Sequence, residues 1–315
     1  MDKRQLGRAA VEVSRVVLGC GNFGGIGSAP EFFGAGETRA EAFALMDAAW
    51  RLGITTFDTA DAYGGGTSET WIGEWMRATG NRPVLTTKTA NPMAAGADHG
   101  LGPARIDRQL ASSLDRLGVE AVDVYLAHEF DPDTPLRDTV AAFESLRNRE
   151  LIRSYGVSNF TAAQLAEVAA LGHPAMIQNS YSLLDRGDET GLVDICREHA
   201  IAYVAYGPLA GGWLADRYRR DEAPPPGSRM ATRPEGYEHL RSERTFAGLD
   251  ALAERAAARG VSGTALALAW VLAQPHVTAM VVGPRRPEHL EPVAAALALE
   301  LSADEAAELA ALFGD

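Results

Sequence analysis

Eight short apolar runs, each closed by a polar group and nearly all followed by a helical stretch, limit what this chain can fold into. They span residues 16–18, 54–57, 84–87, 122–126, 152–157, 176–177, 201–205 and 277–282. Runs that are apolar throughout, without alternation, belong to strands buried on both faces, and sheets of such strands are parallel. Parallel neighbours need crossovers. Helical periodicity supplies them at 39–53, 68–76, 105–117, 136–149, 162–171, 191–199, 244–259 and 263–273. Residues 4–14 read as a small hairpin around Gly7-Arg8-Ala9, and helices at 288–297 and 303–312 end the chain. Strand and helix alternating this regularly predict an α/β fold, a single closed (β/α)8 TIM barrel with a short N-terminal hairpin and extra C-terminal helices. No Pro/Ser-rich linker divides residues 1–315, so one domain is expected. A doubly wound sheet is the alternative, but it lacks a phosphate-binding turn at its first strand. Gly19-Cys-Gly21-Asn22-Phe23-Gly24 has G-x-G-x-x-G spacing, yet the Gly- and Pro-rich residues 25–36 cannot begin the helix that this fingerprint requires. Helical periodicity starts only at Arg39, with Thr38 as N-cap.

Polar groups end the runs. Asp58, Lys88, His128, Ser158-Asn159, Gln178, Tyr206 and Gly283 to Arg285 each follow a different strand. A closed barrel brings those strand ends to one face. One polar residue after a strand is ordinarily a cap for the next helix. Mutually useful groups at seven ends are better explained as a site.

Lys88 stands out, because Lys3 is the only other lysine among 29 Lys and Arg. An ammonium is a compact charge on a thin stem, whereas a guanidinium is a wide fork. Tyr63 follows Asp58 by five residues and precedes the glycine run 64–66. Free tyrosine, with a pKa of about 10, is a poor acid at neutral pH. A buried ammonium favours the phenolate, so Lys88 is expected to lower the Tyr63 pKa while Asp58 compensates the lysine charge. His128 is expected to donate to a substrate carbonyl oxygen and orient it. This set polarises and protonates a carbonyl. It contains no nucleophile–base pair, and the seven histidines are too scattered to suggest a metal site. The missing reactant is a hydride, which implies a nicotinamide cofactor.

Composition narrows the partners. A net charge of -13 weighs against nucleic acid and anionic membrane. Cys20 and Cys196 sit in apolar contexts and read as buried free thiols, suited to a reducing cytoplasm. No apolar signal core follows Met1, and the longest apolar run, 264–273, is far short of the ~20 residues of a membrane span.

At the level of motifs the chain resembles the aldo-keto reductase family nearly end to end. Phe57-Asp58-Thr-Ala-Asp-Ala-Tyr63-Gly64 is similar to the family's Asp/Tyr motif, and Lys88 and His128 fall where the rest of its catalytic tetrad lies. The resemblance implies Asp58, Tyr63, Lys88 and His128 as the catalytic group. It also implies a cofactor cradle. Gly156-Val-Ser158-Asn159-Phe160 resembles the segment that binds the nicotinamide carboxamide, a contact Gln178 completes, and Tyr206 matches the ring stacked under the nicotinamide. Gly207, Pro208, Leu209 and Gly211 resemble the loop over the pyrophosphate, with Gly21, Asn22 and Asp58 as further candidate contacts. Gly283, Arg285 and His289 fall at the adenosine end, where Arg285 would pair with a 2′-phosphate. The family commonly has Ser at the Gly207 position, and Gln, an acid and Asn where His289, Pro292 and Val293 stand. Arg285 and Arg286 favour NADPH/NADP+, with NADH as the other possibility.

The activity implied is NADPH-dependent reduction of an aldehyde or ketone, with Tyr63 as general acid. The expected partner is a small carbonyl compound. Phe23, Phe32, Phe33, the loop around Met93 and the long loop 215–243 are candidate walls of its pocket. Two alternatives are NAD(P)+-dependent oxidation of a sugar or alcohol, and a cofactor-binding regulatory subunit similar to the β-subunits of potassium channels.

Overall fold

In the computed structural model, which describes residues 1–314, eight parallel strands close on themselves in the order β10-β3-β4-β5-β6-β7-β8-β9. They are β3 (Val16–Gly19), β4 (Thr56–Asp58), β5 (Val84–Thr89), β6 (Val122–Ala127), β7 (Ile152–Ser158), β8 (Met176–Ser180), β9 (Ala202–Tyr206) and β10 (Val277–Val282). Helices α1 (Arg39–Arg51), α2 (Thr67–Thr79), α3 (Pro103–Leu117), α4 (Leu136–Asn148), α5 (Ala162–Leu171) and α6 (Leu192–His199) each follow one strand from β3 to β8. Between β9 and β10 lie a short α7 (Arg229–Thr232), then α8 (Glu243–Ala258) and α9 (Gly263–Ala273). α10 (Glu291–Leu297) and α11 (Ala303–Ala311) finish the chain. The closed (β/α)8 architecture is the one expected from the sequence.

Local signals start these helices where the sequence places them. Thr38 and Thr161 each form a capping box, with Glu41 and Gln164 three residues on, so helix-end amides are satisfied by side chains. Gly80 and Gly118 end α2 and α3 in the left-handed conformation.

Two apolar clusters follow from the two-residue period of a strand. Val17, Val124, Leu126, Met176, Ala202, Val204, Ala279 and Val281 meet one another inside the barrel. Alternate residues such as Leu18, Tyr125, Ile177, Tyr203 and Met280 pack outward with the helices. The hairpin β1 (Lys3–Gln5) and β2 (Glu12–Ser14) contributes Leu6, Val11 and Val13 to the inner cluster and so floors the barrel at the N-terminal ends of its strands. Toward the C-terminal ends of the strands the inner positions become polar. Lys88 is level with Leu126, Ser158 with Gln178, and Ser180 with Tyr206. The floor is therefore apolar and the mouth carries the functional groups.

Residues 215–243, expected as a loop, carry more local order than that. Ser228 caps α7 through its side chain, and short 3-10 turns occupy Pro234–Gly236 and Glu238–Leu240. Tyr218, Met230 and Leu240 anchor the segment in the core. Among the described residues no single helix is long and apolar enough to cross a membrane.

Candidate active site

β4 ends on Asp58 and β5 carries Lys88 one strand over, both buried. Lys88 Nζ donates to Asp58 Oδ1 at 2.5 Å and to the Thr59 carbonyl at 2.9 Å. The second Asp58 oxygen, Oδ2, accepts from Gln178 Nε2 at 2.8 Å. The ion pair thus has further hydrogen bonds on both members, which a buried pair needs to offset desolvation. After Asp58 the chain turns through Tyr63 and three glycines with φ of +58°, +65° and +95°, values a side chain would oppose, and enters α2. This turn presents the phenol at the mouth. Tyr63 Oη lies 3.5 Å from Lys88 Nζ and 3.4 Å from His128 Nε2. All four residues of the expected catalytic group therefore meet.

One electrostatic expectation fails. Lys88 pulls the Tyr63 pKa down, but burial acts more strongly and the Asp58 charge assists it, so the phenol is held above its ordinary value. Lys88 is itself raised: burial is the largest single influence and lowers it, but the charges of and hydrogen bonds to Asp58 and Tyr63 together outweigh it. His128 is held well below the usual imidazole range, first by burial and then by Lys88, and is neutral near pH 7. Its buried Nδ1 has no partner among the described residues. A stranded lone pair is better tolerated than a stranded N–H, which assigns the ring proton to Nε2. Lys88 and His128 are then both donors toward the Tyr63 oxygen. The hydroxyl proton is left free to point to a third group.

Asn159, with φ at +59°, links three strand ends. Its Nδ2 donates to the His128 carbonyl at 2.8 Å, its Oδ1 accepts from Tyr206 Oη at 2.6 Å, and its backbone N–H donates to Asn179 Oδ1 at 2.8 Å. Ser158 Oγ donates to the Gln178 carbonyl at 2.7 Å. Ser158, Asn159, Gln178 and Tyr206 are thus contiguous, and Asn179, which the sequence reading passed over, fixes the Asn159 backbone. Gly21 packs on the other side of the mouth, where a β-carbon on it would touch the Tyr63 ring at 3.5 Å. Phe33 and the Met93 carbonyl converge on Gly65, so both sit beside the Tyr63 turn. Phe23 does not line this space: it is 1% exposed and belongs to the outer core.

Beyond Tyr206, Gly207 and Gly211 take positive φ, and the Tyr237 ring lies against Gly211. The segment 215–243 crosses here to the turn after β3. Arg229 Nη2 donates to Asn22 Oδ1 at 2.9 Å, and the Arg233 guanidinium lies 5.7 Å from the Phe32 ring centroid. Arg285 reaches the same region. Its Nη1 donates to the Gly227 carbonyl at 3.2 Å, its backbone N–H to His289 Nδ1 at 3.1 Å, and its Nε to Glu37 Oε1 at 3.0 Å. Arg229 is held below its ordinary pKa by burial, with Arg233 and Arg285 adding repulsion. Glu37 is raised by burial, against the pull of Arg285. Cations gathered beside positive-φ glycines, in a chain of net charge -13, suit the phosphates of a dinucleotide. The amides and ring at the centre of the mouth suit its nicotinamide. The residues present fit the cofactor implied by the motifs. Glu37 and Arg229 had no signal in the sequence beyond being ordinary charges in polar stretches.

The model of the Aldo/keto reductase family matches residues 15–313. The chain belongs to that family. Among its relatives is an aldo-keto reductase of Schizosaccharomyces pombe named for NADP(+), 31% identical over 82% of this chain and 78% of its own length. Another is an NADH-specific methylglyoxal reductase of Escherichia coli, 29% identical over 96% of this chain and 95% of its own. The solved structure of a glycerol dehydrogenase from Gluconobacter oxydans superposes with a TM-score of 0.85, at 27% identity, covering 99% of this chain and 94% of that one. As a family member the chain is a nicotinamide-dependent oxidoreductase.

Proposed function

We propose that this oxidoreductase reduces the carbonyl group of a small aldehyde or ketone, with Tyr63 as the proton donor. One observation carries the reading: the Tyr63 oxygen sits between two hydrogen-bond donors, Lys88 at 3.5 Å and His128 at 3.4 Å. A bound reduced nicotinamide supplies the hydride to the carbonyl carbon. The chain supplies the rest. With substrate in place, the His128 Nε2–H turns from the Tyr63 oxygen to the adjacent carbonyl oxygen and orients it. Tyr63 gives its proton to the same oxygen as negative charge develops there, and the product is an alcohol. The raised pKa keeps Tyr63 protonated and loaded before the reaction. Lys88 then stabilises the phenolate left behind. Asp58 and Gln178 hold Lys88 in position. Run backwards, the same atoms oxidise an alcohol, the direction named for the Gluconobacter relative.

Ser158, Asn159 and Gln178 would hold the nicotinamide amide, Tyr206 its ring, and Gly207 to Gly211 with Arg229 and Arg285 its phosphates. On charge alone Arg285 and Arg286 favour NADPH. Relatives named for each cofactor exist, so the choice depends on what else touches Arg285. The test is loss of reduced-cofactor absorbance with an activated aromatic aldehyde. Tyr63→Phe should abolish turnover while cofactor binding persists. Normal turnover by that variant would remove Tyr63 from the role of acid.

A further inference from the structure

We propose that Glu37 is a cofactor-selectivity residue that turns this chain toward NADH and against NADPH, a reading that rests on the dinucleotide site proposed above. Glu37 occupies an unusual position for an acid. It directly precedes Thr38, the N-cap of α1, yet takes no part in the cap, which Glu41 completes. Its backbone is tied on both sides to the glycine turn after β3, through Glu37 N–H to the Asn22 carbonyl at 2.8 Å and Gly24 N–H to the Glu37 carbonyl at 3.1 Å. Gly36 fits so tightly beside that turn that a β-carbon would overlap the Asn22 carbonyl. The side chain is only 3% exposed and cannot be moved into solvent without opening this turn.

Its two oxygens differ. Oε1 accepts from Arg285 Nε at 3.0 Å, whereas Oε2 is buried with no partner among the described residues. A carboxylate kept only to fix a loop would gain from having both oxygens satisfied. Oε2, buried and unpartnered, has the chemistry to accept a hydrogen bond from a ribose 2′-hydroxyl seated against it, as acids do in other dinucleotide sites. A 2′-phosphate offers no proton and brings negative charge. To reach Arg285, which is 40% exposed, it would have to stand beside the Glu37 carboxylate on the same guanidinium. Arg285 therefore recognises the ribose end as part of a neutralised pair, not as a free cation.

The test uses the full-length protein, Glu37→Gln and titration with NADH and NADPH, followed by fluorescence and by steady-state oxidation with an aromatic aldehyde. Glutamine keeps the shape and removes the charge, and circular dichroism checks that the variant is folded. The wild type should bind NADH at least about tenfold more tightly than NADPH, and Glu37→Gln should move that ratio at least about tenfold toward NADPH. A purely structural role would weaken both cofactors alike. A wild-type preference for NADPH, or an unchanged ratio in the variant, overturns the proposal. So would an unfolded variant beside a wild type that binds both cofactors equally. Binding of neither cofactor by the wild type would remove the dinucleotide site itself, an outcome distinguishable from loss of selectivity alone.

Discussion

Replacing Asp61 by Asn should change how stability depends on pH. Asp61 lies between Asp58 and Tyr63, is fully buried, and neither carboxylate oxygen has a hydrogen-bond partner among the described residues. Burial lifts its pKa from 3.8 to about 7, the Glu69 charge adds to the lift, and the nearby Thr89 hydroxyl, Arg105 and Ala62 amide offset only part of it. Between these two values the folded protein holds a proton that the unfolded chain releases. Stability from this group is therefore full below pH 4, falls as pH rises toward 7, and is constant above that. A lift from 3.8 to about 7 corresponds to about 4 kcal/mol across the window.

Asparagine has the same shape and does not titrate. Near pH 4 the variant and the wild type should differ little. The variant's relative stability should then climb with pH and level off above pH 7, about 4 kcal/mol higher than at pH 4. Reversible urea unfolding of both proteins at matched pH values from 4 to 8 reads this difference directly, and other carboxylates cancel from it. A difference that stays flat with pH would show that Asp61 ionises normally in the fold. A difference of opposite slope would mean that its anion is stabilised by partners absent from this structure.

Two further substitutions probe the same end of the barrel. Lys88→Met leaves Asp58 buried without its cation, which should cost about 3–5 kcal/mol in thermal or urea unfolding as well as turnover; a stability loss under about 1 kcal/mol would mean that water or Gln178 already carries the Asp58 charge. Gly36→Ala forces a β-carbon into the Asn22 carbonyl, so a stability loss of about 1–3 kcal/mol together with weaker cofactor binding is expected, and an unaltered affinity would detach the glycine turn from the cofactor cleft.

The barrel was legible because its strands are apolar on both faces, but their upper ends were not. Residues 176–177 read as a two-residue strand, and the fold extends it to Met176–Ser180 because Gln178, Asn179 and Ser180 pair with Val204, Ala205 and Tyr206. A polarity pattern stops at the first polar side chain, whereas the backbone ladder continues beneath it. The strand expected at 54–57 forms instead at Thr56–Asp58, and the Ser14 hydroxyl accepts from the Thr55 and Thr56 amides at its start. α7 spans only four residues, fewer than periodicity can register.

Site residue types were legible for a different reason from their electrostatics. Lys88 could be singled out by counting, and Tyr63 by its spacing from Asp58, because both are properties of the chain. The direction of the Tyr63 pKa depends on how much protein encloses the phenol, and burial wins over a lysine 3.5 Å away. Glu37 marks the limit most clearly. Its meaning comes from Arg285, 248 residues further along, and from an oxygen buried without a partner among the described residues. Read alone, Arg285 looks like a free cation and points to NADPH. Read with the acid that the fold sets against it, the same arginine carries the proposal of NADH selectivity made above. The sign of a binding site is thus a property of pairs, and pairs so distant in sequence become visible only when the barrel closes β10 onto β3 and brings the two ends of the chain together.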